Sequence, residues 1–166
     1  TITDQSKVTL SAADQARAIK ESLEIKKALS ETTTEITPSF HFIPPVPGII
    51  TSPFGKQRFI NGLPRSAHLA LDFRGSVGTP IVSPLKGKVV LVGDYFYTGL
   101  TLILDHGYGL FSSYAHMSEI KVKLGDLVEQ SNEIGLVGST GRVTGPHLHW
   151  TVYFDGNKRY SEKLRR

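Results

Sequence analysis

"LKGKVVLVGDYFYTGLTLILDHGYGLFSSYAH", residues 85–116, decides the fold class. Three runs rich in Val, Ile, Leu, Phe and Tyr, at Lys88–Asp94, Leu100–Leu104 and Leu110–His116, are punctuated by glycine and by Asp-His-Gly. That is the texture of consecutive β-strands. Working outward, the same texture predicts strands at Leu69–Phe73, Glu133–Val137 and Leu148–Phe154, set apart by Gly-Asp and Ser-Thr-Gly. An antiparallel β-sandwich or small barrel is the expected architecture, making the chain mainly β.

Upstream the pattern changes. From Ser11 to about Glu31, Ala12, Ala16, Ile19 and Leu23 recur at helical spacing, with Ser11 and Asp14 placed as an N-terminal cap. One amphipathic helix with this apolar stripe is predicted. Residues 32–48, "TTTEITPSFHFIPPVPG", then lose the period and gain threonine and proline, as a stiff extended connector does. The expected organisation is a helical segment and linker over residues 1–37, a β-domain over 38–157 and a tail over 158–166.

With 166 residues the chain is long enough for one core without disulfides or a structural metal. It has no cysteine, which excludes thiolate zinc sites and a cysteine nucleophile and leaves histidine and carboxylate as metal ligands. No apolar run approaches the ~20 residues of a membrane span, so a soluble chain is expected. It opens on Thr1 with no cleavage pattern, which reads as a chain processed or cut from something longer. The net charge of +4 suits an anionic polymer, whether nucleic acid, lipid surface or cell wall.

Six histidines stand at 41, 68, 106, 116, 147 and 149. His41 and His106 read as satisfied core or surface residues, His106 within the turn-like "LDHGYG". His147 and His149 are two apart on one predicted strand and so share a face, while Leu148 points the other way. Both can bind one zinc, or one can bind while its neighbour moves protons; spacing alone does not choose. In "HLALD", Asp72 follows His68 by four residues and can complete a nitrogen and oxygen donor set. Along a straight strand their Cα atoms would lie ~13 Å apart, so joint ligation requires a bend or helical turn around Leu69 and Ala70. His116, in "YAHMS", is the fifth polar group predicted at a strand end.

These motifs, with "GSTGRVTGPHLHW", "GTPIVSPLKGKVV" and "VKLGDLVEQSNEIGLVG", resemble the lysostaphin/LytM-type zinc metallopeptidases, which cut peptide cross-links of bacterial peptidoglycan. The resemblance runs from about Pro45 to Phe154. It implies one zinc ion held by His68, Asp72 and His149, with His116 and His147 as the two histidines that assist attack by zinc-bound water. Ala70 and Ser131 stand where the family usually has glycine. The expected accommodation is a negative φ at Ala70 and a left-handed Asn132 beside Ser131.

The resemblance further implies a periplasmic or cell-envelope enzyme acting on stem peptides, with the D-alanyl to diamino-acid bond as the first expectation and no nucleic-acid role. Arg58, Arg65, Arg74 and Arg142 are candidate contacts to substrate carboxylates. Tyr95, Phe96 and Tyr97 either line a peptide groove or cap the core. The alternative is a non-catalytic LytM-like domain that binds wall or protein partners and regulates another hydrolase.

Overall fold

The computed structural model describes residues 11–33, 36, 38, 41–46, 66–141 and 145–155, and the backbone alone for 66–71, 74 and 155. Among the described residues one helix, α1 (Ala12–Ala28), precedes β1 (Ser66–Arg74), β2 (Pro80–Val82), β3 (Gly87–Tyr95), β4 (Gly99–Gly107), β5 (Leu110–Ile120), β6 (Leu127–Val128), β7 (Glu133–Val137) and β8 (His147–Asp155). All six predicted strands are present. The two that sequence reading missed, β2 and β6, are three and two residues long, too short for an alternating pattern to register.

Neighbouring strands run antiparallel in the order β1-β8-β5-β4-β3-β6, and β7 pairs with both β5 and β2. Among the described residues the path ends at β1 and β6, which do not pair with each other, so the sheet is not closed into a barrel. β4 lies between β3 and β5 and is buried along nearly its whole length, which is why "LTLILDH" is apolar on both faces. β5 is the pivot. One of its edges pairs with β8 from Leu110 to Ala115 and then with β7 from Met117 onward.

The main core gathers on one side of the sheet around Tyr114, Leu148, Trp150 and Val152, with Ile81, Ile134 and Val137 from β2 and β7. Trp150 meets Phe42 and Phe73 edge-on at ring separations of 5.9 and 6.0 Å. The described residues of the connector are fastened into the fold. Asp105 on β4 accepts from Thr32 Oγ1 and Thr33 N, both at 2.8 Å, and from Gly107 N at 2.9 Å. Burial raises the Asp105 pKa against these three donors. Ile36, Phe42 and Val46 are buried, and Val82 N donates to Pro45 O at 2.8 Å.

α1 starts where the cap predicted, with Asp14 N donating to Ser11 Oγ at 3.1 Å. Its inward face is not the predicted one. Ile19 and Leu23 are 64% and 60% exposed, while Ile25, Ala28 and Leu29 pack on a second cluster of Leu91, Tyr95, Ile103 and Phe111. The face is chosen by polar contacts from Arg17, Glu21 and Glu24 to β3 and the turn after it, a signal that hydrophobic spacing does not carry.

His106 is a core residue at the end of β4 rather than a turn residue. Its Nδ1 lies 2.8 Å from Lys86 O and its Nε2 2.7 Å from Ser112 Oγ, which in turn is 2.7 Å from the Tyr114 hydroxyl. A carbonyl can only accept, so Nδ1 carries the proton and Nε2 accepts from Ser112. Burial lowers the His106 pKa to about 4. Below the unfolded value near ~6.5 the unfolded chain therefore binds the extra proton. The stabilising contribution is complete above that value and is lost as pH falls towards about 4, amounting to about 3 kcal/mol. Urea unfolding from pH 7.5 to 4.5 should show a steeper loss of stability in the wild-type chain than in His106→Gln. Equal slopes would remove His106 from the acid response.

The two departures from family glycines are resolved differently from expectation in one case. Among the described residues only Tyr108, His116 and Ser131 are non-glycine residues with positive φ, so Ala70 behaves as expected. Ser131 itself takes φ 71°, not Asn132. Asn132 is occupied in closing the turn, its side-chain oxygen accepting from Glu129 N at 2.9 Å, while Ser131 N donates to Ser83 O.

Candidate active site

β1 and β8 bring the motifs together. Their register sets Asp72 opposite His149, Arg74 opposite His147 and His68 opposite Tyr153. Cross-strand partners share a face, so Asp72, His147 and His149 project from one side while Leu148, Trp150 and Val152 fill the core on the other, and the register places position 68 on the same strand face as Asp72. The ladder is unbroken through Leu69 and Ala70. No bulge or helical turn interrupts it between His68 and Asp72, so the turn expected around Leu69 and Ala70 is not found in the backbone.

His116 reaches the same face by a different device. Leu100 pairs with Met117 and Leu102 with Tyr114, so Thr101 alone stands opposite Ala115 and His116. This is a β-bulge, and His116 takes φ 63° within it. Tyr114 and Met117 both point into the main core. Strict alternation would put His116 there as well; the bulge re-aims it into the site. A left-handed residue with a Cβ costs about 1 kcal/mol, offset here by the hydrogen bond from His116 N to Thr98 O at 2.7 Å. Sequence reading ended the strand at His116, and nothing in the apolar pattern marks the bulge.

The polar groups form one cluster. Asp72 Oδ1 lies 2.8 Å from His149 Nδ1 and 3.6 Å from His147 Nε2. The His116 ring centroid is 5.3 Å from that of His147 and 6.5 Å from that of His149. His116 Nδ1 is 2.7 Å from Thr140 O, and His147 Nδ1 is 3.0 Å from Gly145 O. Each contact to a carbonyl puts the proton on Nδ1 and leaves Nε2 as an acceptor. The His116 pKa is lowered, chiefly by burial, with His147 and His149 pushing the same way and the Thr140 hydrogen bond and Asp72 opposing. The site thus grades from a buried, neutral imidazole to a carboxylate that is 62% exposed.

Thr98 and Thr140 were missed as site residues because each acts through a backbone carbonyl, which residue type does not reveal. The His68 and Arg74 side chains lie outside the described residues, as do Arg58, Arg65 and Arg142. Among the described residues no group of three His, Asp or Glu side chains is set to hold a metal ion. Tyr95 caps the smaller cluster, and Tyr97 is partly exposed. Both also line a cavity of about 350 Å³ between α1 and the sheet, with Ile25, Leu29, Thr98 and Tyr153.

The chain is similar to known proteins in sequence and in fold. The chain is 39% identical over 108 residues to the peptidoglycan DD-endopeptidase ShyA of Vibrio cholerae, covering 64% of this chain and 25% of that protein. It is 41% identical over 85 residues to ShyB of the same organism, covering 51% and 20%. The chain therefore spans a quarter or less of these relatives. The crystal structure of a Pseudomonas aeruginosa protein described as a peptidase M23 superposes with a TM-score of 0.69 at 40% identity, covering 84% of this chain and 56% of that one. Residues 66–160, more than half of the chain and all of the site, match Peptidase family M23, and the chain belongs to that family.

Proposed function

We propose that the chain is a zinc-dependent endopeptidase that hydrolyses the peptide cross-links of bacterial peptidoglycan, at the bond from D-alanine to the diamino acid, in the periplasm or cell envelope. The observation that carries this reading is the convergence of Asp72, His116, His147 and His149 on one sheet face. The DD-endopeptidase relatives support the substrate class. A regulatory protein partner is compatible with a chain that spans only part of its relatives.

The donor chemistry fits zinc. Asp72 and His149 turn an oxygen and a nitrogen towards each other at 2.8 Å, a contact that a proton now bridges and a cation can replace after a small separation. His68, on the same strand face, is the third ligand in this reading. When bound, zinc supplies the Lewis acidity that makes water nucleophilic near neutral pH.

The remaining work falls to the two other histidines. His116 and His147 each hold Nδ1–H on a backbone carbonyl and present Nε2 as an acceptor. One, with Nε2 unprotonated, takes the proton from the attacking water and returns it to the leaving amine, and the other, when it carries a second proton on Nε2 taken up from solvent, stabilises the developing oxyanion. Burial keeps His116 neutral and ready to accept. The Thr140 and Gly145 carbonyls fix both ring orientations.

The purified chain, incubated with cross-linked sacculi, is expected to release soluble fragments whose masses correspond to cleavage after D-alanine. A chelator should stop the release, and one equivalent of zinc should restore it. Zinc binding at one equivalent with sacculi left intact would favour the non-catalytic, regulatory reading instead.

A further inference from the structure

We propose that α1 is a positioning element of the histidine site: Arg17 and Glu21 clamp the β3–β4 turn, and that turn holds His116 in the bulge from which its imidazole enters the site. The contacts form one chain. Glu21 Oε1 accepts from Phe96 N at 2.8 Å, and Glu21 Oε2 accepts from Arg17 Nε at 2.8 Å. Arg17 also donates to Asp94 O at 3.1 Å, and its guanidinium lies 5.8 Å from the Phe96 ring centroid. The Tyr95 hydroxyl donates to Glu24 at 3.1 Å. The contacts from α1 to the sheet all fall on three consecutive residues, Asp94, Tyr95 and Phe96.

Two residues further on, the Thr98 carbonyl accepts from His116 N. Leu100 N donates to Thr140 Oγ1 at 3.0 Å, and the Thr140 carbonyl holds His116 Nδ1. Gly99 packs so closely on Thr140 that a Cβ would overlap it. Both backbone atoms that hold His116 are thus tied to the turn that α1 grips. The orientation of α1 supports this role: a helix kept only to bury apolar surface would turn Ile19 and Leu23 inward. Here they face solvent while the Glu21 side chain is only 14% exposed.

The functional consequence rests on the reading of His116 as a proton carrier, but the test does not. Backbone amide hydrogen exchange of the whole metal-free chain, followed by NMR, reads the coupling directly. Glu21→Ala is expected to lower protection of the Phe96 and His116 amides together, roughly five- to tenfold, the scale of one hydrogen bond. Glu21→Gln keeps an acceptor for Phe96 N and should retain most of the protection at both. Leu23→Ala, on the exposed stripe of the same helix, should change neither. Loosening of Phe96 with His116 unchanged would overturn the proposal. So would a uniform loss across the sheet, which would reduce α1 to a contributor to global stability.

Discussion

Asp72→Ala is expected to lower cross-link cleavage by at least about 10³-fold while leaving the fold intact. Asp72 is the one carboxylate of the cluster, 2.8 Å from His149 and 3.6 Å from His147. Its removal takes away a negative donor to the proposed cation and the acceptor that holds His149 Nδ1. The side chain is 62% exposed, so the unfolding free energy should move by no more than about 0.5 kcal/mol. Asp72→Asn keeps the shape without the charge and should lose activity on a similar scale. Activity against sacculi together with a urea melt checks the pair of statements. A variant cleaving within about tenfold of wild type, on the scale of one ordinary hydrogen bond, would remove Asp72 from the ligand set.

Gly107→Ala should be among the most destabilising single changes, by about 3 kcal/mol. Gly107 has φ 95°, and a Cβ there would overlap the carbonyl oxygen of Ile36. Two effects add: backbone strain and the displacement of a connector whose Thr32 and Thr33 are bonded to Asp105. Gly125 separates them, because its φ of 92° is nearly the same but nothing lies within 4 Å of an added Cβ. Gly125→Ala should therefore cost only the backbone penalty, about 1 kcal/mol. Urea midpoints of the two variants give the difference, which measures the close approach of the connector. Equal losses would mean that the connector does not press on Gly107 in solution.

The long strands were legible because each carries enough apolar residues in series to reveal itself, and β8 also displays its two faces through the alternation of His147, Leu148, His149 and Trp150. The pairing of His147 and His149 on one face followed from that period alone. The contribution of Asp72 needed the β1–β8 register, which no local pattern encodes. The inward face of α1 was misread because Ile19 and Leu23 form the more regular apolar stripe, yet Arg17 and Glu21 find hydrogen-bond partners 75 and more residues away.

By itself, the sequence determined an all-antiparallel β-domain led by one capped helix, the absence of thiol chemistry, and a histidine and carboxylate set gathered in three short motifs. These follow from residue type and from periods of two and 3.6, which act over neighbouring positions. Only the tertiary structure decided that the connector is part of the core, which face α1 turns inward, that Ser131 rather than Asn132 takes the left-handed backbone, and that His116 enters the site through a bulge. Each of these depends on a partner distant in the chain, often a backbone carbonyl. Such partners exert their effect through position, and position is set only once the sheet has formed.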